Sequence, residues 1–381
     1  MKIQLAREWR LIREERWLLS LTTWLPLMLF AIIWAIFSSG IARDLPVGVV
    51  DLDHSQLSRQ LVRYYDANPT LAVANTYPSV AEGSHALKGG DIYALVVIPT
   101  NLEQDTKLGK SPTATVFYNS QFVLIGKLVK SAVVQAQGTL NAQIDTLRNM
   151  ASGSRVPQQA LGLAVPVRNQ ITPLYNSNSH YGQFLVSATI PAIWQIAIVI
   201  TTIIALSAEQ RKGGLKAWLG DAPTRHLIIK LMPYTLLLFI QGLIFITVLY
   251  GVLNWPMHGQ WWILLFAQFL MVLACQGVAC VLFLFTLDAT KAMSLAAGFT
   301  APAFAFVGVT FPATDMPNFA LVWRAMLPAT HYLDVQLHQV NHGMTFQQAT
   351  PQLLCLIAFL ITWLLAAGRV ARLSKVEEVR V

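Results

Sequence analysis

Few residues in this chain combine a type and a spacing that do chemistry. His331, Asp334, His338 and His342 share one face if 330–341 is helical, and a histidine pair at i, i+4 is a possible zinc site. No cysteine or second carboxylate completes that set, so no metal is expected. Asp51, Asp53, His54 and Ser55 also crowd together, as in a metal site or a triad. The same residues suit the turn and N-cap between a strand and the following helix, which is the reading preferred here. A phosphate loop of the form G-x-x-x-x-G-K-[ST] is missing. Gly126-Lys127 comes nearest, but Leu128 follows it and Gln121 stands where the first glycine belongs. ATP is therefore not expected to bind by that route. The apolar runs hold no nucleophile–base pair, which disfavours an intramembrane enzyme.

The elements that carry these residues are those of a polytopic α-helical membrane protein. Of 381 residues, 55% are hydrophobic and 12% charged, with a mean hydropathy of +0.50. An ordinary soluble chain has roughly twice that charged fraction. Six spans are predicted, at 17–37, 183–206, 227–253, 261–287, 292–311 and 352–367. Each is near the ~20 residues that cross a bilayer core. The first is too long for a cleaved signal peptide and lacks a small-x-small cleavage site. Lys2, Arg7, Arg10, Arg13 and Arg16 precede it; Arg211, Lys212, Lys216, Arg225 and Lys230 flank the second turn; Arg369, Arg372, Lys375 and Arg380 follow the last span. The opposite loops are poor in basic residues, 312–351 having only Arg324. Both termini are thus expected in the cytoplasm. The net charge of +8 is assigned to these flanks rather than to nucleic acid.

Residues 43–180 read as an inserted α/β domain outside the cytoplasm. Strand candidates at 45–51, 70–77, 91–98 and 113–118 alternate with helical stretches, and alternation implies a layered α/β unit. Ser79 with Glu82 forms a capping box. Ile125, Val129, Val133, Ala136 and Leu140 recur at helical spacing, and 151–175 is a connector. Residues 1–16 suggest an amphipathic helix on the inner membrane surface, with Leu5, Trp9 and Ile12 on the lipid side; a plain extension of span one stays open. The spans hold amides (Gln195, Gln241, Gln268, Gln276) but almost no ionisable groups. Such amides more often tie helices together than contact a substrate, and proton- or sodium-coupled carriers keep carboxylates or His at that depth. Ala297, Ala301 and Ala305 form a small-residue stripe on span five, suited to packing within the chain or against a second copy. Cys275, Cys280 and Cys355 lie in apolar runs, so no disulfide framework is expected.

Three stretches then fall in order. One is Val47-Gly-Val-Val-Asp-Leu-Asp-His-Ser with Asp91–Pro99. The second is the basic turn at 207–226 and the residues after it, with Glu209, Arg211, Lys212, Gly213, Pro223, Arg225 and Lys230 in an E-x-x-x-G…P-x-x-R…K run. The third is Gly308-Val-Thr-Phe311-Pro312 with Met316-Pro317 and Pro328-Ala-Thr-His331-Tyr332. With the six spans, they make the chain resemble ABC type-2 permeases, the membrane halves of ATP-driven exporters. Gly214 departs from the resemblance, since many relatives have Thr there.

The resemblance implies that the second stretch couples to a separate ABC ATPase subunit, which would hold ATP and Mg; this chain would hold no cofactor. It implies that 312–332 is a re-entrant outer gate, broken by Pro312, Pro317 and Pro328. It implies a second permease copy, identical or sister, and export of an amphiphilic substrate. A periplasmic adaptor and outer-membrane channel would dock on the α/β domain. Two rivals stand beside it: a secondary multidrug carrier, and a non-transporting membrane scaffold that binds a periplasmic partner.

Overall fold

The computed structural model describes residues 2–38, 40–153, 156–165, 172, 174–176, 180–308 and 311–375. Val309, Thr310 and Arg380, used in the sequence reading, lie outside them. The chain divides into two compact units, one of residues 1–40 with 173–381 and one of residues 41–172.

The chain begins with helices α1 (Lys2–Glu14), α2 (Arg16–Thr22) and α3 (Leu25–Phe37). Helices α2 and α3 replace the straight first span expected from sequence and meet at 48°. Pro26 sits in the first turn of α3 and supplies no N–H to the turn before it, so the ladder breaks there. The Thr22 hydroxyl bonds back to Leu18 O at 2.6 Å, which also favours a bend.

Residues 41–172 then form strands β1 (Leu45–Asp51), β2 (Leu71–Thr76), β3 (Ala94–Ile98) and β4 (Thr115–Tyr118), with α4 (Gln56–Asp66), α5 (Val80–Gly89), α6 (Leu102–Lys107), α7 (Val123–Ala151) and α8 (Pro157–Ala164). The sheet order is β2-β1-β3-β4. Strand β1 pairs in parallel with β2 and β3, while β4 runs antiparallel to β3. Strand β3 is apolar on both faces because it is covered twice. Val96 and Ile98 join α4 and α7 through Leu61, Tyr65 and Val133; Leu95 packs with Ala86 of α5. Burial pushes the Tyr65 phenol up to about 12 against the hydrogen bond it accepts from Gln137, so it stays neutral. Asp51, Asp53, His54 and Ser55 form a turn. Asp51 Oδ1 accepts from the backbone N–H groups of Asp53 and His54 at 3.0 Å, and Ser55 Oγ caps α4 through the Ser58 N–H.

The chain continues as α9 (Tyr181–Lys212), α10 (Leu215–Leu219), α11 (Pro223–Ile246), α12 (Trp261–Thr286), α13 (Ala289–Thr300), α14 (Ala303–Phe306), α15 (Asn318–Met326), α16 (Pro328–His342), α17 (Phe346–Ala358) and α18 (Ile361–Lys375). Four described stretches are long and apolar enough to cross a membrane: Gly182–Lys212, Pro223–Val252, Trp261–Thr286 and Phe346–Ser374. The bent α2–α3 pair makes a fifth. The chain is thus a polytopic helical membrane protein. The stretch expected as span five, 292–311, is instead two short helices, α13 and α14. Pro302 separates them by removing a backbone donor and crowding the preceding turn. The last span is longer than the expected 352–367 at both ends, running from Phe346 to Ser374.

Amides tie this bundle, as their scarcity among apolar residues requires. Gln241 donates to Leu21 O at 2.9 Å and Gln268 to Phe239 O at 3.2 Å. Gln195 Oε1 accepts from the Ala329 N–H at 2.9 Å, and Gln276 Oε1 from the Thr235 hydroxyl at 2.8 Å.

Candidate functional site

Helix α1 presents Glu8, Leu11 and Ile12 along one stripe, at the i, i+3, i+4 spacing of a single helical face, with Glu15 just past its end. That stripe packs on α11, and Glu8, Leu11 and Ile12 are buried. The opposite side holds Trp9, which is 41% exposed. The sequence reading had turned Trp9 and Ile12 together toward lipid. The structure divides them, because an acid within the stripe found a buried partner.

That partner is Lys230, seven residues into α11. Its side chain is 1% exposed, and its ammonium lies 2.8 Å from Glu8 Oε2 and 2.7 Å from Glu209 Oε1. Arg7 takes the other Glu209 oxygen. The Tyr234 hydroxyl stands 3.4 Å from Glu8 Oε2, and the Trp218 ring centre lies 5.6 Å from Lys230 Nζ. Two carboxylates and two cations thus form a neutral set, in which Glu8, Glu209 and Lys230 are buried and Arg7, 47% exposed, closes the edge toward solvent. Ions cost several kcal/mol each to bury, roughly, and such a set persists only when every member is matched.

More exposed pairs surround this centre. Arg211 reaches Glu15 at 2.9 Å and Lys212 reaches Glu14 at 2.8 Å. The Lys212 hydrogen bond holds the Glu14 carboxyl below its usual range. Helix α1 is therefore fastened to the last turn of α9 and the first turns of α11, with cations of α9 placed where the helix C-terminus favours them.

The turn between those helices is compact. His226 Nδ1 lies 2.8 Å from Leu219 O, and Gln210 donates to Leu287 O at 2.8 Å. Gly214 has φ +90° as it opens α10, a conformation that strains a β-branched side chain. The glycine that departs from the resemblance is thus the residue this turn geometry requires. Of the residues singled out in the sequence, Glu209 and Lys230 are buried in the ion set, whereas Arg211, Lys212, Gly213 and Arg225 are exposed and Pro223 starts α11. Glu209 and Lys230 therefore do not themselves offer a docking surface. Sequence reasoning missed Glu8, Glu14, Glu15 and Tyr234. The available signal was Lys230 itself, because a lone cation in an apolar run demands a carboxylate at equal depth.

A second constellation lies on α15 and α16. Arg324 holds both oxygens of Asp334, at 2.7 and 2.8 Å, with each side chain 16% exposed. His331 is held between Gln352 Oε1 at 2.7 Å and Ala325 O at 2.9 Å. His338 Nδ1 lies 2.6 Å from Asp334 O. The Asp334 carboxylate is thus taken by Arg324 and both His331 nitrogens by Gln352 and Ala325, while His338 and His342 meet ring to ring at 5.2 Å. Among the described residues, no group of three His, Cys, Asp or Glu side chains is placed to hold a metal ion. Pro328, His331, Tyr332 and Met316 are buried, while Phe311, Pro312 and Pro317 are exposed. Gly308 has φ +90°, and a Cβ there would lie 3.3 Å from Arg324 Nε. On α13 and α14, Ala297, Ala301 and Ala305 are exposed, whereas Ala292, Ala296 and Ala303 face inward.

These features, two ion sets at different levels of a helical bundle, are joined by a match along the sequence. Residues 16–369 fit the family model described as ABC-2 family transporter protein. The chain belongs to the ABC-2 transporter family. It is also similar to the inner membrane transport permease YhhJ of Escherichia coli (strain K12), at 22% identity over 359 residues covering 91% of each chain. The Shigella flexneri protein of the same name matches equally. An ABC-2 membrane subunit is a transport component rather than an enzyme, and the family implies an ABC ATPase partner. The ion set around Lys230, with the Arg211–Glu15 and Lys212–Glu14 pairs, then connects the N-terminal helix of this ABC-2 chain to its basic turn.

Proposed function

We propose that this chain is the membrane permease of an ATP-driven exporter in a bacterial inner membrane, with both termini cytoplasmic. It moves an amphiphilic or drug-like substrate outward from the cytoplasm or inner leaflet. ATP and Mg belong to a separate ATPase subunit. The turn at 207–226 is the coupling element, presenting Arg211, Lys212, Gly213 and Arg225 to a groove of that subunit, since exposed cations suit a charged, reversible interface. Force passes into α1 and α11 together.

The remaining parts follow the same reading. The α13–α14 pair supplies a sixth, broken crossing. A second copy, identical or sister, packs on Ala297, Ala301 and Ala305, where small side chains allow close approach. Segment 312–332 is the outer gate. The 41–172 unit faces the periplasm, where an adaptor with its outer-membrane channel can dock. One observation carries the proposal: the buried Lys230 ion set that fastens α1 to both ends of the basic turn.

The test is co-purification with the ATPase subunit and measurement of its ATP turnover. Arg225 is exposed, so Arg225→Glu leaves this chain folded and reverses charge only at the proposed interface. Loss of the complex in that variant is the expected result. Unchanged assembly and turnover would discard the coupling role. Transport that survives loss of the ATPase but stops with the proton gradient would favour a secondary carrier.

A further inference from the structure

The two carboxylates of α1, and Glu15 just past its end, are all taken up by cations of other helices: Glu8 by Lys230, Glu14 by Lys212 and Glu15 by Arg211. Its apolar residues Leu11 and Ile12 are buried as well. What the helix turns outward is therefore basic and aromatic. Arg10, Arg13 and Arg16 are exposed. Arg10 lies one turn before Glu14 and contributes to its lowered pKa. Arg13 and Arg16 make no ion pair among the described residues.

Glu15 N–H donates to Leu11 O and Leu19 N–H to Glu15 O, both at 3.0 Å, while Glu15 itself is extended (φ −89°, ψ 104°) and separates α1 from α2. Trp9, Arg10 and Arg13 are exposed on α1, and Arg16 and Trp17 are exposed at the start of α2. Trp17 is 67% exposed, and Trp24, at the bend of the crossing, is 52% exposed.

We propose that these exposed arginines and tryptophans, on either side of the α1–α2 junction, form a binding surface for anionic phospholipid headgroups. Indoles settle at the headgroup level of a bilayer, and arginines there meet phosphate with matched geometry. The tryptophans lead directly into a membrane crossing, which favours a lipid surface over an acidic protein groove. Attachment rests on charge rather than insertion, because Leu11 and Ile12 are committed inward. The surface therefore distinguishes net-negative headgroups from zwitterionic ones. This reading specifies the lipid partner and does not depend on which side of the membrane α1 occupies.

The test uses the full-length purified protein, titrated with phosphatidylglycerol or phosphatidylcholine, with retained lipids counted by native mass spectrometry. The wild type should retain phosphatidylglycerol preferentially. Each arginine removed should weaken that binding about fivefold at low salt, so R10Q/R13Q/R16Q should lose on the order of 100-fold. R10K/R13K/R16K keeps the charge and should retain the preference. K107Q/K110Q, in the α/β unit, should match the wild type. Equal phosphatidylglycerol binding by R10Q/R13Q/R16Q and wild type would overturn the proposal. If that variant kept its lipid preference but no longer co-purified with the ATPase subunit, the surface would be a protein-docking face and the proposal would also fall.

Discussion

Lys230 and Arg324 are both basic residues drawn away from water beside carboxylates, yet they join very different lengths of chain. Lys230 reaches Glu8 across 222 residues and Glu209 across 21, and its side chain is 1% exposed. Arg324 reaches Asp334 across 10 residues, and both are 16% exposed. The first set binds three helices that sequence alone keeps apart. The second braces one helical hairpin and needs nothing else. A long-range ion set makes separate elements move together, whereas a local one stiffens a single element.

Lys230→Ala should have the largest effect, because it strands Glu8 in a buried place and leaves Glu209 with Arg7 alone. A loss of about 3–5 kcal/mol is expected, read as a fall in the temperature at which the solubilised protein stays monodisperse. The paired change Glu8→Gln with Lys230→Met removes opposite charges together and leaves Glu209 to Arg7. It should recover most of that loss. If the single and paired variants were equally unstable, the pairing would not be what holds α1.

Asp334→Asn should cost less, roughly 1–3 kcal/mol, because Arg324 keeps partial access to water. Its effect should be local, with faster proteolysis at 311–327 and unchanged protection of α1. Release of α1 in this variant would erase the contrast between the two sets. The smallest effect belongs to Arg225→Glu, which should leave stability within about 0.5 kcal/mol because the residue is exposed. Its expected consequence is on assembly alone, so a large thermal shift would reassign Arg225 to the fold.

Much of the architecture was legible because it rests on local pattern. The run from Ala94 to Ile98 announces a strand covered on both faces, and Ser55 and Ser79 announce helix starts that the structure caps with those same side chains. The bend at Thr23–Trp24 lies inside the apolar run 17–37, where hydropathy alone reads as one span and only Pro26 marks the break. Pro302 was likewise absorbed into a continuous fifth span, although its missing donor ends α13. The ion set was half visible. Glu209 and Lys230 were found through a motif, but Glu8 is one of several acids in a charged helix. Only the packing of α1 on α11 separates it from Glu14 and Glu15. Burial that depends on a distant element leaves no local periodicity to read.

The central claim is that α1 and the basic turn move as one body under the ATPase. Spin labels at Ala6→Cys and Ala217→Cys, both exposed positions, with Cys355→Ser to remove the exposed native thiol, report their separation by pulsed electron resonance in the assembled transporter. The account predicts one distance distribution, the same without nucleotide, with ATP and after hydrolysis. A distribution that shifts or splits between those states, with Glu8, Glu209 and Lys230 intact, would show that the two elements move separately and would contradict it.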